Sequence, residues 1–361
     1  MSLQTVIGHL SRLVACDTQN PPRRIDGDAD VFRYCAAVAG DRFEISTWDH
    51  GNGHVSWYAV RGRPRILFNV HLDTVPFGEG WSTDPLEMRI ADGRAYGRGC
   101  CDIKGAVAAL LALAEQDVKN LALLFTSDEE GAGGCCIERF LETGEAQRFE
   151  QVIVAEPTGC EAVLEHRGFL SVKTWFTASP GHSSEPRALS DNANHQMVRW
   201  AAAALEVARG YRNSEQDPGC CLNMGLIEGG TKSNVIAGKA FVHWSARLKP
   251  GASSEAFLRE MQDCVPREAS AEWQVPFKGE PLPASGADNA GAAAFCSRNG
   301  LPQGPAVDFW TEASLFSAAG LPALVLGPGS IAQAHVTDEW VELAQLERAF
   351  EWYGRLVKSD E

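Results

Sequence analysis

The run Arg65-Ile-Leu-Phe-Asn-Val-His71-Leu-Asp73 ends an apolar stretch with two groups able to engage a metal, two positions apart. In an extended chain, positions i and i+2 share a side. His71 can then bind a cation through one ring nitrogen while Asp73 holds the other and fixes the tautomer. The same arrangement recurs. Leu121-Ala-Leu-Leu-Phe125 is followed by Ser127-Asp128-Glu129-Glu130, and Val152-Ile-Val154 by Glu156-Pro157-Thr158. Ala323-Leu-Val-Leu326 leads into a Gly-Pro-Gly-Ser turn and then His335. Open α/β sheets build their sites just past the carboxyl ends of strands, so these groups are expected to converge.

A further carboxylate, Asp102, stands among glycines in Gly97-Arg-Gly-Cys-Cys-Asp102-Ile-Lys-Gly105, directly before an Ala/Leu-rich helix. Two hydrolytic metals held about 3.5–4 Å apart need a ligand that gives one oxygen to each, and Asp102 is the candidate bridge. His71 and Glu156 complete one metal; Glu130 and His335 complete the other. Mixed imidazole and carboxylate ligation suits zinc, with cobalt or manganese as substitutes. Adjacent residues do not normally face one metal together, so Glu129 is left as the general base for an attacking water. His9, His50, His54, His195 and His243 have no such context and are expected to be structural. The competing reading, in which each carboxylate merely caps a helix or lines a solvated turn, holds for a single residue better than for the set.

The elements needed to hold these groups are legible in outline. Strands 66–70, 121–126, 152–154 and 323–326 alternate with helices near 105–114 and 135–142, which indicates a mixed, mostly parallel sheet covered on both faces. A helix over Met1–Ala15 precedes it, and another, Val341–Val357, closes it. Between about 166 and 276 the order is strand 169–177, helix 192–208, strands 221–227 and 239–247, helix 253–263 and strand 271–277. That order is ferredoxin-like. The expected organisation is a discontinuous catalytic domain, 1–165 with 277–361, interrupted by a smaller α+β domain at 166–276.

Composition narrows the function classes. A chain of 361 residues with 45% hydrophobic content has room for two cores. A net charge of −15 and no basic stripe argue against nucleic acid as a partner. Neither a membrane-spanning apolar stretch nor a signal peptide is visible, so a cytoplasmic location is expected. Eleven cysteines, an odd number without a C-x-x-C, are expected to be free thiols.

The motifs His71-Leu-Asp73, Gly97 to Gly105, Asp128-Glu-Glu-Gly131, Ala155-Glu-Pro-Thr158, Gly181-His-Ser183 and Ala334-His335, in this order, resemble the M20 family of metal-dependent amidohydrolases. The resemblance covers nearly the whole chain. It implies a zinc-exopeptidase-like catalytic domain with an inserted lid and dimerisation domain, one or two divalent ions (zinc or cobalt) per subunit, and a homodimer. It implies the ligand and base roles given above, a supporting role for Asp73, and an oxyanion-stabilising role for His182, reaching an active site from the inserted domain. Trp310-Thr-Glu312-Ala313 and Leu326 to His335 are similar to the acetylornithine deacetylases, and in particular to their N-acetyl-L-citrulline branch. Lys232, Asn234 and Arg247 resemble substrate-clamping positions, and Glu312, Gly329 and Ser330 are implied to line the substrate. Cys100-Cys101 departs from the usual Thr/Ser-type pair. The implied activity is hydrolysis of the acetamide of N-acetyl-L-citrulline in arginine biosynthesis. The alternatives are N-acetyl-L-ornithine as substrate, an M20 dipeptidase or carboxypeptidase, and a non-catalytic metal-binding homologue.

Overall fold

The computed structural model of the protein describes residues 3–22, 25–131, 134–211 and 219–360. The chain divides into two units. The first comprises Met1–Glu165, Asp288–Ala306 and Thr311–Glu361; the second comprises His166–Ala287 and Val307–Trp310.

In chain order the first unit begins with α1 (Leu3–Val14), α2 (Asp30–Ala39), β1 (Glu44–Asp49), β2 (Val55–Arg61) and β3 (Ile66–His71). It continues through β4 (Arg89–Ala91), β5 (Arg94–Tyr96), α3 (Lys104–Ala114), β6 (Leu121–Thr126), α4 (Cys136–Glu142) and β7 (Gln151–Val154). The second unit holds β8 (Gly168–Thr177), β9 (Gly181–His182), α5 (Ala193–Gly210), β10 (Cys220–Gly229), β11 (Val235–Ile236), β12 (Lys239–Leu248), α6 (Ser254–Asp263) and β13 (Ser270–Gly279). The return to the first unit brings α7 (Ala290–Asn299), α8 (Ala313–Ala318), β14 (Ala323–Val325), β15 (Trp340–Glu342) and α9 (Leu343–Ser359). The helix expected from Met1 is described from Leu3 onward; Met1 and Ser2 lie outside the described residues.

The central sheet runs β1-β2-β6-β3-β7-β14. The pairs from β6 to β14 are parallel, while β1 and β2 join antiparallel. Every residue of β3, β6 and β7 is buried, as expected for parallel strands covered on both faces. Helix α3 is apolar around its whole circumference and buried throughout, so it acts as an internal pillar rather than an amphipathic surface helix. Gly105 permits this: a Cβ there would meet the Cys100 carbonyl oxygen at 2.6 Å. Helices α1 and α9 bury one stripe each against it, Val6, Leu10 and Leu13 from the first and Leu346, Tyr353 and Leu356 from the second. The Tyr353 hydroxyl donates to Leu326 O at 2.8 Å, tying α9 to the end of β14. A small sheet, β15-β5-β4, brackets the segment that carries Asp102.

In the second unit β8 alternates buried and half-buried residues along its length, as does most of β12, the mark of a sheet covered on one face. The strand order is β10-β12-β8-β13, all antiparallel. Helices α5 and α6 cover it over a core of Trp200, Trp244, Phe257 and Met261. The indoles are satisfied: Trp200 Nε1 donates to Met261 O at 2.8 Å and Trp244 Nε1 to Thr174 Oγ1 at 3.1 Å. This unit runs past 276, because His166 and Leu282 exchange backbone hydrogen bonds and His166 also bridges to Val307. All eleven cysteines are free.

Candidate metal centre

The strand ends of the first unit bring five expected ligands together. His71, the last residue of β3, places Nε2 at 3.1 Å from Asp102 Oδ1 and 3.6 Å from Glu156 Oε1. His335 places Nε2 at 3.1 Å from Asp102 Oδ2 and 2.9 Å from Glu130 Oε1. Asp102 thus offers one oxygen to each histidine, the disposition required of a bridge. Each triad has its ligand atoms within 4.8 Å of one another, and both can hold a metal ion. The donor set, one nitrogen with carboxylate oxygens at each position, fits a divalent cation of the zinc type.

The electrostatics fit the same reading. Burial opposes charge on His71, yet Glu156, Asp102 and Asp73 outweigh it and hold the imidazole well above its ordinary pKa. His335 is raised to about 10, chiefly by its hydrogen bonds to Asp102 and Glu130. Burial alone would raise Asp102, but hydrogen bonds from His335 and His71 take it below the usual carboxylate range. Burial lifts Glu156 to about 7 and pushes Glu130 upward.

Asp73 does more than steady His71. The imidazole Nδ1 lies 2.9 Å from the backbone oxygen of Asp73 and 3.5 Å from its carboxylate. That carboxylate, fully buried, accepts Glu129 N at 3.3 Å on Oδ1, and Glu130 N at 2.9 Å and Asn20 Nδ2 at 3.0 Å on Oδ2. It therefore fixes the backbone of the paired glutamates. Glu130 turns to His335, and burial together with nearby Glu130 and Glu156 drives Glu129 well above the usual carboxylate range despite His71. Surroundings that disfavour its charge make this carboxyl a ready acceptor for a proton. Asp128 clasps the same loop from the other side: Oδ2 accepts Cys135 N, Cys136 N and His54 Nδ1. His54, Asp128 and Cys135 form a third group with metal-ligand spacing, but three hydrogen bonds already fill that oxygen, so the group acts as a latch at the start of α4.

Residues 67–359 match Peptidase family M20/M25/M40. The chain belongs to this family. It is 43% identical to N-acetyl-L-citrulline deacetylase of Xanthomonas campestris pv. campestris over 98% of both chains. It is 32% identical to acetylornithine deacetylase of Vibrio parahaemolyticus over 87% of each. Among solved structures, an M20 family metallo-carboxypeptidase from Sulfolobus solfataricus shares the fold, with a TM-score of 0.72 at 16% identity over 98% of both chains. So does a dinuclear metal-binding M20 peptidase from Bacillus subtilis, with a TM-score of 0.62 at 14% identity over 98% of this chain and 97% of that one.

The residues that the M20 resemblance marks for the substrate fall into two groups. In the first unit, Gly329 (φ +94°) lies against Cys101, where a Cβ would meet Sγ at 2.5 Å. Ser330 caps the short turn 331–333 and accepts Cys101 Sγ on its carbonyl at 3.4 Å. Both therefore sit beside Asp102. Glu312 differs from expectation. It is 4% exposed and accepts Thr126 Oγ1 at 3.2 Å. With its amide turned to satisfy both ends, Asn69 also donates to Glu312 at 3.0 Å. Burial and the charge on Asp128 push Glu312 well above the usual range. Its carboxyl is occupied by residues of β3 and β6, so it secures these strands rather than presenting an open contact to a substrate.

In the second unit, β9 pairs with β11, which sets Val235 opposite His182, and Ser183 N donates to Asn234 O at 3.1 Å. His182, Asn234 and the neighbouring Lys232 thus gather at one small two-stranded sheet. His182 is exposed, with Nδ1 2.8 Å from Ser184 Oγ. Arg247 lies on β12 of the separate four-stranded sheet, its guanidinium carbon 3.9 Å from the Phe169 ring centroid. The other histidines without motif context have structural partners, for example His9 with Tyr34, His50 with Ser56 and His243 with Ser171. Sequence reasoning missed Asn20, Arg98 and Glu339. Only their positions in Asn20-Pro-Pro, Gly-Arg98-Gly and His335-Val-Thr-Asp-Glu339, beside recognised motifs, signalled them.

Proposed function

We propose that this chain is a metal-dependent deacetylase that adds water to the acetamide of N-acetyl-L-citrulline, releasing citrulline and acetate in arginine biosynthesis. The observation that carries the chemistry is Asp102, with one oxygen on each of two histidine-carboxylate triads. The substrate follows from the 43% identity to an N-acetyl-L-citrulline deacetylase over nearly the full chain. The second reading, N-acetyl-L-ornithine, follows from the 32% identity to an acetylornithine deacetylase.

Bound zinc or cobalt would be held by His71, Asp102 and Glu156 and by Asp102, Glu130 and His335, and would polarise the acetyl carbonyl and acidify water. Glu129 takes the proton of the attacking water and returns it to the leaving amine. Asp73 keeps Glu129 in place through its backbone N–H. His182 donates to the oxyanion of the tetrahedral intermediate, a task that commonly accounts for a large share of rate. Lys232, Asn234 and Arg247, with the backbone at Gly329 and Ser330, orient the substrate carboxylate and side chain. The second unit serves as lid and dimerisation domain. In support of a homodimer, β10 is an edge strand with Leu226 and Ile227 exposed, and neighbouring α5 exposes Val198 and Leu205; uncovered edges and apolar faces favour pairing.

Glu129→Gln tests the chemistry. It should retain metal while turnover falls about 10²–10⁴-fold; near-normal turnover would remove the base. A panel of N-acetyl amino acids against dipeptides separates a deacetylase from a peptidase.

A further inference from the structure

Arg98 and Glu339 form a buried ion pair that no step of the chemistry above uses. Arg98 is 2% exposed and Glu339 fully buried. Their closest atoms, Arg98 Nη1 and Glu339 Oε2, are 2.8 Å apart. Glu339 accepts three further hydrogen bonds, all from backbone: Gly99 N at 3.1 Å on Oε2, and Cys101 N at 2.8 Å and Asp102 N at 3.0 Å on Oε1. One carboxylate therefore gathers the N–H groups of the turn that ends in Asp102. From the other side, Arg98 Nη2 donates to Pro76 O and Phe77 O, each at 3.2 Å, and Nη1 also reaches Val336 O at 3.4 Å. Val336 follows His335, and Pro76 lies three residues beyond Asp73. Two lesser ties run parallel: Ser82 N and Oγ donate to Asp338, and Thr337 Oγ1 donates to Glu79 O.

We propose that the Arg98–Glu339 pair is a positioning device that joins the loops carrying His71, Asp102 and His335, and so sets the separation of the two metal positions. This rests on the two-metal reading above. The physical argument is one of cost. A buried ion pair recovers its desolvation only when its remaining hydrogen-bonding capacity is used. Here that capacity, apart from Arg98 Nε, which is buried without a partner, is used on backbone groups of the ligand loops. A purely stabilising pair would be replaceable by apolar side chains; a pair whose partners are the N–H of the bridging residue and the carbonyl after a terminal ligand is not. Glu339 fixes Asp102 at its backbone, which leaves both carboxylate oxygens of Asp102 free for the two metal positions.

The test is cobalt binding to metal-stripped protein, followed by titration calorimetry and by the visible absorption of bound cobalt. Glu339→Gln keeps the shape but turns one acceptor into a donor that must face N–H or guanidinium. The expected result is a loss of about 10–100-fold in affinity for at least one cobalt, the range found when groups that orient ligands are removed. It should come with an altered cobalt spectrum, and kcat should fall more than KM rises. Arg98→Lys keeps the charge but loses the fork that reaches both Glu339 and the 76–77 carbonyls; it should show the same change to a smaller extent. Should Glu339→Gln fail to fold, Arg98→Lys decides. Wild-type affinity and spectrum in whichever variants fold would overturn the brace while leaving the metal centre intact. Wild-type protein that binds no cobalt would overturn the two-metal reading instead.

Discussion

Asp73→Asn separates the two tasks this buried residue could perform. The carboxylate takes two short hydrogen bonds on Oδ2, from Glu130 N and Asn20 Nδ2, and one longer bond on Oδ1, from Glu129 N at 3.3 Å. An asparagine will turn its oxygen to the Oδ2 position and keep the two short bonds. Its amide nitrogen then faces the Glu129 N–H, donor against donor. A lost hydrogen bond to an ionised group costs about 1.5 kcal/mol at the low end, appropriate to 3.3 Å, and the unmatched buried N–H about 1 kcal/mol more. About 2.5 kcal/mol displaced onto the backbone of the base is about 70-fold in rate. The imidazole keeps its nearer partner, the Asp73 backbone oxygen at 2.9 Å, so metal should stay. The assay is kcat and metal content on the same preparation. The expected result is a turnover loss of about 70-fold with metal largely retained. Turnover within a few-fold of wild type would refute the link between Asp73 and Glu129. Loss of metal in step with activity would return Asp73 to a role through His71 alone.

Metal binding should release protons. His335 is raised to about 10, so at pH 8 its imidazole holds a proton that a cation must displace, and His71 is shifted in the same direction. Affinity should therefore rise with pH toward the His335 value, and calorimetric enthalpies in buffers of different ionisation heat should report proton release; buffer-independent enthalpies would contradict this. Gly329→Ala adds a Cβ 2.5 Å from Cys101 Sγ at a backbone angle of +94°. It should lower stability by about 1–3 kcal/mol and weaken metal binding beside Asp102. Adding Cys101→Ala should restore part of both, as measured by denaturant unfolding and cobalt titration; no rescue would mean that the backbone angle alone carries the effect.

Much of the site was legible because its ligands end apolar runs. His71 ends, and Glu130 and Glu156 follow, a strand whose every residue is buried, and a carboxylate or imidazole at the end of such a run has few reasons to be there. The adjacency argument expected only one of Glu129 and Glu130 to join the ligand set, and it is Glu130 that meets His335. What escaped is what works through backbone. Glu339 joins donors more than two hundred residues away in the chain, and no periodicity records such a clasp. Asp73 was readable as a partner of His71 but not as the acceptor for the Glu129–Glu130 turn, for the same reason. The fold shows a parallel difference. β3, β6, β7, β8 and β12 declare themselves by burial or alternation, whereas β1 and β2 were not read from the sequence, β1 being almost wholly exposed, and β4, β5 and β15 span three residues each, too few to show a period. The M20 resemblance implies Glu312 as a substrate contact, and its enclosure by Thr126 and Asn69 is a placement that only packing decides.

The most direct measurement is amine release from N-acetyl-L-citrulline and N-acetyl-L-ornithine, side by side, on metal-stripped protein before and after zinc or cobalt is restored. The account predicts no turnover without metal, recovery with it, and a clear preference for acetylcitrulline. Failure of restored metal to give turnover of either substrate would contradict it.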